Sequence, residues 1–341
     1  VKQISKPHVA IVGATGAVGT TMLSILEERN FPLSDLRLIA SSRSAGQVRS
    51  TRWGDVTIES LDAVDPTGID VALFSAGGAR SLDFAPRFVE AGATVVDNSS
   101  AFRSDDAVPL VVAQVNDDAV ESHQGIIANP NCTTMVLMMA AGPLNDAAGV
   151  RTIFATSYQS VSGSGQTGIA NLKSEIDHFS LDRDSLVNGR WEEPEGHLYA
   201  RPIGYNVLPL AGSVAEGGYT DEEWKLVHES RKILGRDELA VEPTCVRVPV
   251  MVGHGIAASM WFDRRVDLDE AVAVLGSAPG MQLWDDTEVP TPLDSAGIDD
   301  VLVGRLRETI GFPGGISLFA VGDNLRKGAA LNAIQIAELL L

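Results

Sequence analysis

Cysteine is scarce. The 341 residues hold two, Cys132 and Cys245, and the six histidines are scattered. No Cys-x-x-Cys or His-x-x-x-His spacing occurs, so no metal site is expected, and so few cysteines, so far apart, favour free thiols over a disulfide framework. Positive charge is also short. Lys and Arg number 26 against 45 Asp and Glu, a net charge of −19. Nucleic acid demands a basic surface, so that partner is excluded. An anionic ligand would meet a repelling global field, and its few cations must be concentrated at the site. Long apolar runs are missing too: none approaches the ~20 residues that span a bilayer, so no membrane partner is expected. Val1–Pro7 lacks a signal-peptide apolar region, which makes the cytoplasm the expected location.

What is present is ordinary in amount, with 45% hydrophobic and 21% charged residues, and long enough for two domains. The first third alternates short apolar strands with helical patterns. Val9–Val12, Leu36–Ala40, Val71–Phe74, Thr94–Asp97, Leu110–Val112 and Ile126–Ala128 read as strands, and apolar residues at 18, 22, 25 and 26 trace one helix face. Such alternation implies a parallel sheet covered on both faces, a Rossmann-like doubly wound α/β domain over residues 1–131. Beyond it, long strands at Arg151–Gln159, Cys245–Val250, Met260–Phe262 and Ile316–Val321, with helices grouped between them, suggest an α+β domain with a mixed sheet over 132–324. The tail, about 325–341, is helical by pattern.

Several short motifs carry chemistry. Asn129-Pro130-Asn131-Cys132-Thr133-Thr134 joins an apolar strand to an apolar helix, which puts Cys132 at a helix N-terminus. The helix dipole and free N–H groups there favour the nucleophilic thiolate, although a buried cysteine is often only a small hydrophobe. Gly13-Ala14-Thr15-Gly16-Ala17-Val18-Gly19 lies at the first strand-to-helix turn, where glycines let a backbone approach a pyrophosphate. The second strand runs into Ser41-Ser42-Arg43-Ser44 with no acid to bind a ribose 2′-hydroxyl. Hydroxyls plus a guanidinium suit a 2′-phosphate, so NADP is expected over NAD. Ser157–Gly165 is either a simple Ser/Gly connection or a loop that lets backbone approach a nicotinamide while Gln159 faces substrate. Arg247, on a strand leading to Gly253-His254-Gly255, offers a two-pronged clamp for a carboxylate, and His254 a proton relay near neutrality.

Together Asn131-Cys132-Thr133, Ser157-Tyr158-Gln159, Ser162-Gly163, Glu222-Glu223-Trp224-Lys225, Arg247-Val248-Pro249 and Gly253-His254-Gly255 resemble aspartate-β-semialdehyde dehydrogenase. Gly13–Gly19, Asp97–Arg103 and Asp323–Ala329 fit as well, so the resemblance runs the length of the chain. It implies a Cys132 nucleophile that forms an acyl thioester, a His254 acid/base, and Gln159 positioning substrate. Arg247 would bind the substrate α-carboxylate and Glu222 its ammonium; Arg103, Lys225 and Asn131 would hold phosphate. Gly13, Thr15, Gly16, Ala17, Val18, Arg43, Ser44, Ser162, Gly163 and Asn324 would contact NADP. The C-terminal helix would complete the nucleotide domain, and the second domain would mediate a homodimer, or a tetramer of paired dimers. The implied reaction is reductive dephosphorylation of aspartyl phosphate to aspartate semialdehyde and inorganic phosphate, in lysine, threonine, methionine and isoleucine biosynthesis. An N-acetylglutamyl-phosphate reductase is the nearest alternative, and Glu222 speaks against it because an acylated nitrogen carries no charge. A glyceraldehyde-3-phosphate dehydrogenase fits Arg247 and Glu222 less well. A non-catalytic nucleotide-binding relative would have no use for Cys132, Gln159, Arg247 and His254 together.

Overall fold

Strands in which every residue is apolar are buried on both faces, and Val71–Phe74 is the clearest case, with all four residues buried. The computed structural model describes residues 5–285 and 287–341, which form two compact units. The first comprises the chain up to Gly142 together with His228–Asp237 and Leu325–Leu341; the second comprises Pro143–Val227 and Glu238–Asn324. The division therefore falls inside a helix, ten residues beyond Cys132.

In the first unit the strands are β1 (His8–Val12), β2 (Asp35–Ala40), β3 (Val48–Thr51), β4 (Gly54–Thr57), β5 (Glu59–Ser60), β6 (Val71–Phe74), β7 (Thr94–Asp97) and β8 (Ile126–Ala128). Six of them make one all-parallel sheet in the order β5-β2-β1-β6-β7-β8, and β3 and β4 pair as a separate hairpin. This is the doubly wound order. Its direction reverses beside β1, where the carboxyl ends of strands open a crevice for ligand. Side chains alternate across the sheet. Val9, Ile11, Leu38 and Leu73 pack with Met22, Ile25 and Leu26 of α1 (Ala17–Glu28) and with the C-terminal helix. Ala10, Val12, Ile39 and Phe74 face α2 (Gly78–Glu90), whose Phe88 meets Phe74 edge-on at 5.0 Å between ring centroids. Each of these buried Val, Ile, Leu, Met and Phe side chains contributes about 1.5–3 kcal/mol.

One expected strand does not form. Leu110 makes only an isolated bridge to Ala128. The N–H of Val112 goes to the Asn116 side chain and that of Ala113 to Asn332, which leaves no ladder to propagate.

Helix α3 runs Cys132–Ala148. The second unit adds β9 (Val150–Gln159), α4 (Gly165–Ser180), α5 (Arg183–Asn188), α6 (Asp221–Leu234, its last seven residues in the first unit), β10 (Ala240–Arg247), β11 (His254–Phe262), α7 (Leu268–Ser277), β12 (Met281–Leu283), α8 (Pro292–Ser295), β13 (Val301–Glu308) and β14 (Gly315–Gly322). The sheet order is β10-β9-β11-β14-β13-β12, with both parallel and antiparallel pairs, as a mixed sheet requires. β10 stops at Arg247, two residues short of Pro249, which has no N–H to donate. The Ser/Gly stretch after β9 is not loose: Val161–Ser164 forms a 3-10 turn leading directly into α4. A π-turn at Arg326–Ala330 then starts the C-terminal helix α9 (Leu331–Leu339). Among the described residues, no helix is long and apolar enough to cross a membrane.

Two glycines of the first turn are fixed by packing. Gly13 has φ +95°, and a Cβ there would lie 2.2 Å from the Ser75 carbonyl oxygen; a Cβ on Gly19 would lie 2.2 Å from that of Gly13. Gly13→Ala and Gly19→Ala should therefore each cost about 1–3 kcal/mol of stability. Urea denaturation measures this, and an unchanged midpoint with an unchanged slope would rule out the close approach.

Candidate active site

The register of the second sheet gathers side chains at one edge. Parallel pairing sets Arg247 at the end of β10 beside Gln159 at the end of β9. β11 runs the other way, so His254 at its start falls at the same edge, next to Gly322 at the end of β14. Asn324 follows two residues later.

His254 is fully buried, and the Ser160 backbone N–H donates to its Nδ1 at 3.0 Å. A nitrogen that accepts this bond carries no proton, so the neutral ring holds its hydrogen on Nε2. Burial first, and then the charge of Arg247, push the imidazole pKa down to about 3. Ser160 and Ser162 both donate hydroxyls to Asn324 Oδ1 at 3.0 Å, and the Gly253 N–H reaches the same oxygen at 2.9 Å. The amide of Asn324, expected to face NADP, is thus engaged in tying together the segments around His254.

Arg247 is 8% exposed; its Nη1 donates to the Ser160 carbonyl at 2.9 Å and its guanidinium stacks 5.2 Å from the Tyr199 ring centre. Its Nε is buried without a hydrogen-bond partner among the described residues. A Cβ on Gly163 would come within 3.2 Å of Arg247 Nη1 and 3.6 Å of His254 Nε2, so the missing side chain keeps that space open.

Helix α6 begins with a capping box. The Thr220 N–H donates to Glu223 Oε2 at 2.7 Å, and the Glu223 N–H donates to Thr220 Oγ1 at 3.2 Å. This start places Glu222 to accept from Gln159 Nε2 at 3.0 Å and from Lys225 Nζ at 2.7 Å. Burial alone would lower the Lys225 pKa, but Glu222 and Asp221 together hold it above its ordinary value. Gln159, Glu222 and Lys225 are thus one connected group, and Arg247, Ser162, Gly163, His254 and Asn324 a second at the same sheet edge. Cys245 points elsewhere in function: it is fully buried, and desolvation drives its thiol up to about 12.

In the first unit Cys132 is the first residue of α3, as its motif suggested, and is partly exposed. Asn131 is the helix cap, its Oδ1 accepting the Thr133 N–H at 2.9 Å. Its own N–H donates to Glu229 Oε2 at 2.7 Å, and Arg103 Nη1 meets Glu229 Oε1 at 3.2 Å. Arg103 further donates to the carbonyls of Asn129 at 2.8 Å and Asn98 at 2.9 Å. Arg103 and Glu229 therefore clamp the turn that presents Cys132. Two of the five guanidinium N–H groups remain beyond these three bonds.

The first turn has room and donors for a dinucleotide. Helix α1 starts at Gly16 with no side-chain cap and no acid in its first turn, so its leading N–H groups offer an anion site. A Cβ on Gly16 would touch nothing nearer than the Gly13 oxygen at 3.4 Å, which leaves the approach open. A cavity of about 200 Å³ lies there, lined by Gly13, Thr15 and Gly16 together with Ser41, Leu61 and Arg80. The residues fit the group. Arg43 and Ser44, expected at the ribose, are not among the lining residues, and Arg43 is exposed.

The profile described as semialdehyde dehydrogenase, NAD binding domain, matches residues 8–123; that described as semialdehyde dehydrogenase, dimerisation domain, matches residues 142–327. An aspartate-semialdehyde dehydrogenase of Streptomyces akiyoshiensis is 50% identical over 338 residues, 98% of each chain. The chain belongs to the aspartate-semialdehyde dehydrogenase family. A second family member, from Corynebacterium glutamicum, is 50% identical over 343 residues, covering 98% of this chain and 99% of that one. Aspartate semialdehyde dehydrogenase II from Vibrio cholerae has the same fold, with a TM-score of 0.92 at 42% identity and 98% of both chains covered. That protein has also been solved in complex with ASA.

Against the family motifs, Glu229, Ser160, Tyr199 and Arg80 are the residues that sequence reading passed over. Glu229 left a signal, since 222, 225 and 229 follow the i, i+3, i+7 spacing of one helix face. The others act through contacts that only the fold creates. His254 also generates a pH test. A histidine whose folded pKa lies below its unfolded value stabilises above about pH 6.5, and that contribution is lost as pH falls toward 3. The stability of the wild type relative to His254→Gln should thus drop by up to about 1.4 kcal/mol per pH unit across that window. A difference independent of pH, measured by urea denaturation, would overturn the buried neutral imidazole.

Proposed function

We propose that this chain catalyses NADP-dependent reductive dephosphorylation of L-4-aspartyl phosphate to L-aspartate 4-semialdehyde, through a thioester on Cys132, in the synthesis of lysine, threonine, methionine and isoleucine. The observation that carries the reading is Arg247. A buried guanidinium nitrogen left without an acceptor is costly, and a substrate α-carboxylate supplies the missing partner in two-pronged geometry. Glu222, at the same sheet edge, offers a carboxylate to the free α-ammonium, which an N-acetylated substrate lacks.

The Cys132 thiolate attacks the acyl carbon; the carbon–sulfur bond forms as the carbon–oxygen bond to phosphate breaks. Arg103, Lys225 and Asn131 hold the phosphate, and Gln159 orients the acyl group. Splitting one displacement into two steps lowers each barrier. NADP in its reduced form supplies the hydride to the thioester carbonyl. His254 donates a hydrogen bond from its Nε2–H to the oxyanion that results, which collapses as the aldehyde forms and the thiolate leaves. Two free cysteines suit a reducing, cytoplasmic setting. A homodimer, or a tetramer of paired dimers, fits the open face of the second sheet, where Phe154 is 49% and Tyr158 37% exposed beside Trp261 and Phe319. Light scattering should give twice the subunit mass or more, and a monomer would refute it.

Phosphate-dependent NADP reduction should proceed with L-aspartate semialdehyde and not with N-acetylglutamate semialdehyde. No activity with the first, or equal rates with both, would refute the substrate. Cys132→Ala should abolish turnover while NADP still binds; appreciable residual turnover would refute the covalent route. Arg247→Lys should raise KM at least about tenfold, since a charged hydrogen bond is worth about 1.5–3 kcal/mol. Unchanged kinetics would remove the clamp.

A further inference from the structure

The sequence offers Arg43 for the 2′-phosphate of NADP, yet the cation that lines the cavity at the first turn is Arg80, in the first turn of α2. In a doubly wound sheet the ribose of a bound dinucleotide lies at the end of the second strand. Ser41, the residue directly after β2, lines the same cavity. Resting on the reading that a dinucleotide occupies this crevice, we propose that Arg80 reads the 2′-phosphate and sets the preference for NADP over NAD.

Two contacts pre-aim Arg80. Its Nη1 lies 2.6 Å from Asp62 Oδ1, and its guanidinium sits 5.6 Å from the centre of the Phe84 ring. The Asp62–Arg80 pair is close to half exposed on both sides, at 45% and 49%. Exposed pairs of this kind hold weakly. A phosphate dianion offers more charge and two oxygens in the geometry of a guanidinium fork, so it displaces a single screened carboxylate. The 2′-hydroxyl of NAD offers no charge and leaves the Asp62 pair in place. The ring of Phe84, 5.6 Å from the guanidinium, offers it a face to lie against whichever anion it pairs with. Arg80 therefore acts through binding, with no part in the chemistry at Cys132.

The test is dinucleotide affinity, measured by calorimetric titration of the full chain without substrate. Wild type, Arg80→Ala and Arg43→Ala are each titrated with NADP and with NAD. Arg80→Ala should weaken NADP at least about tenfold, the scale of a lost charge-assisted pair, and change NAD less than twofold. Arg43→Ala should reduce the selectivity less than Arg80→Ala does. Equal loss for both dinucleotides would mean that Arg80 stacks on the adenine and would overturn the assignment, as would an unchanged NADP affinity. A wild type that binds neither dinucleotide, or prefers NAD, would overturn the underlying cofactor reading instead. A melting curve for each variant separates binding loss from misfolding.

Discussion

Parallel pairing of β10 with β9 and antiparallel pairing of β11 with β9 and β14 decide which side chains can cooperate. Because strand ends meet at one edge, residues almost a hundred positions apart become neighbours. A one-residue slip in any of these ladders would turn Gln159, Arg247 or His254 to the opposite face of the sheet. The buried bond from the Ser160 N–H to His254 Nδ1 follows from the same register. It fixes where the ring carries its proton, and a base at Nδ1 is thereby excluded. The chemistry assigned to His254 is thus a consequence of strand pairing before it is a property of histidine.

The acidity of the chain stands in contrast to its chemistry with anions. The cations near the Cys132 turn and the sheet edge are handled in two ways. Arg103 is matched to Glu229, and Lys225 to Glu222 and Asp221. Arg247 instead spends one nitrogen on a neutral carbonyl and stacks on Tyr199. Neutral partners leave its charge undiminished, which is what a carboxylate-binding group requires. The net charge of −19 is therefore a property of the surface, and the local field at each site is set by a few side chains.

Much of this was legible in the residues. The three glycines of the first turn separate into two that packing requires and one that leaves space, and their spacing had announced the turn. The position of Cys132 at a helix start and of Arg247 on a strand leading toward His254 also followed from local pattern, while the chain reversal between them did not. Other features were hidden because they depend on distant parts of the chain. Leu110–Val112 had the composition of a strand, but Asn116 takes the Val112 N–H and the Leu110 carbonyl, and Asn332 donates to the Val111 carbonyl. Asn131 reads only as a phosphate ligand, and its role as the cap of its helix is missed. Arg43, read from its place after β2, is exposed and does not line the cavity at the first turn, whereas Arg80, from α2, does, and no local pattern announced that.

Cys245 occupies a strand of the sheet whose edge gathers Gln159, Arg247 and His254, yet its thiol is sealed from solvent and held protonated by its surroundings. In the folded chain it behaves as an aliphatic filler of the core. Each subunit consequently has one thiol able to meet an electrophile. Thiol-selective alkylation of the native protein becomes a stoichiometric count of competent subunits, with no second accessible thiol to blur the endpoint.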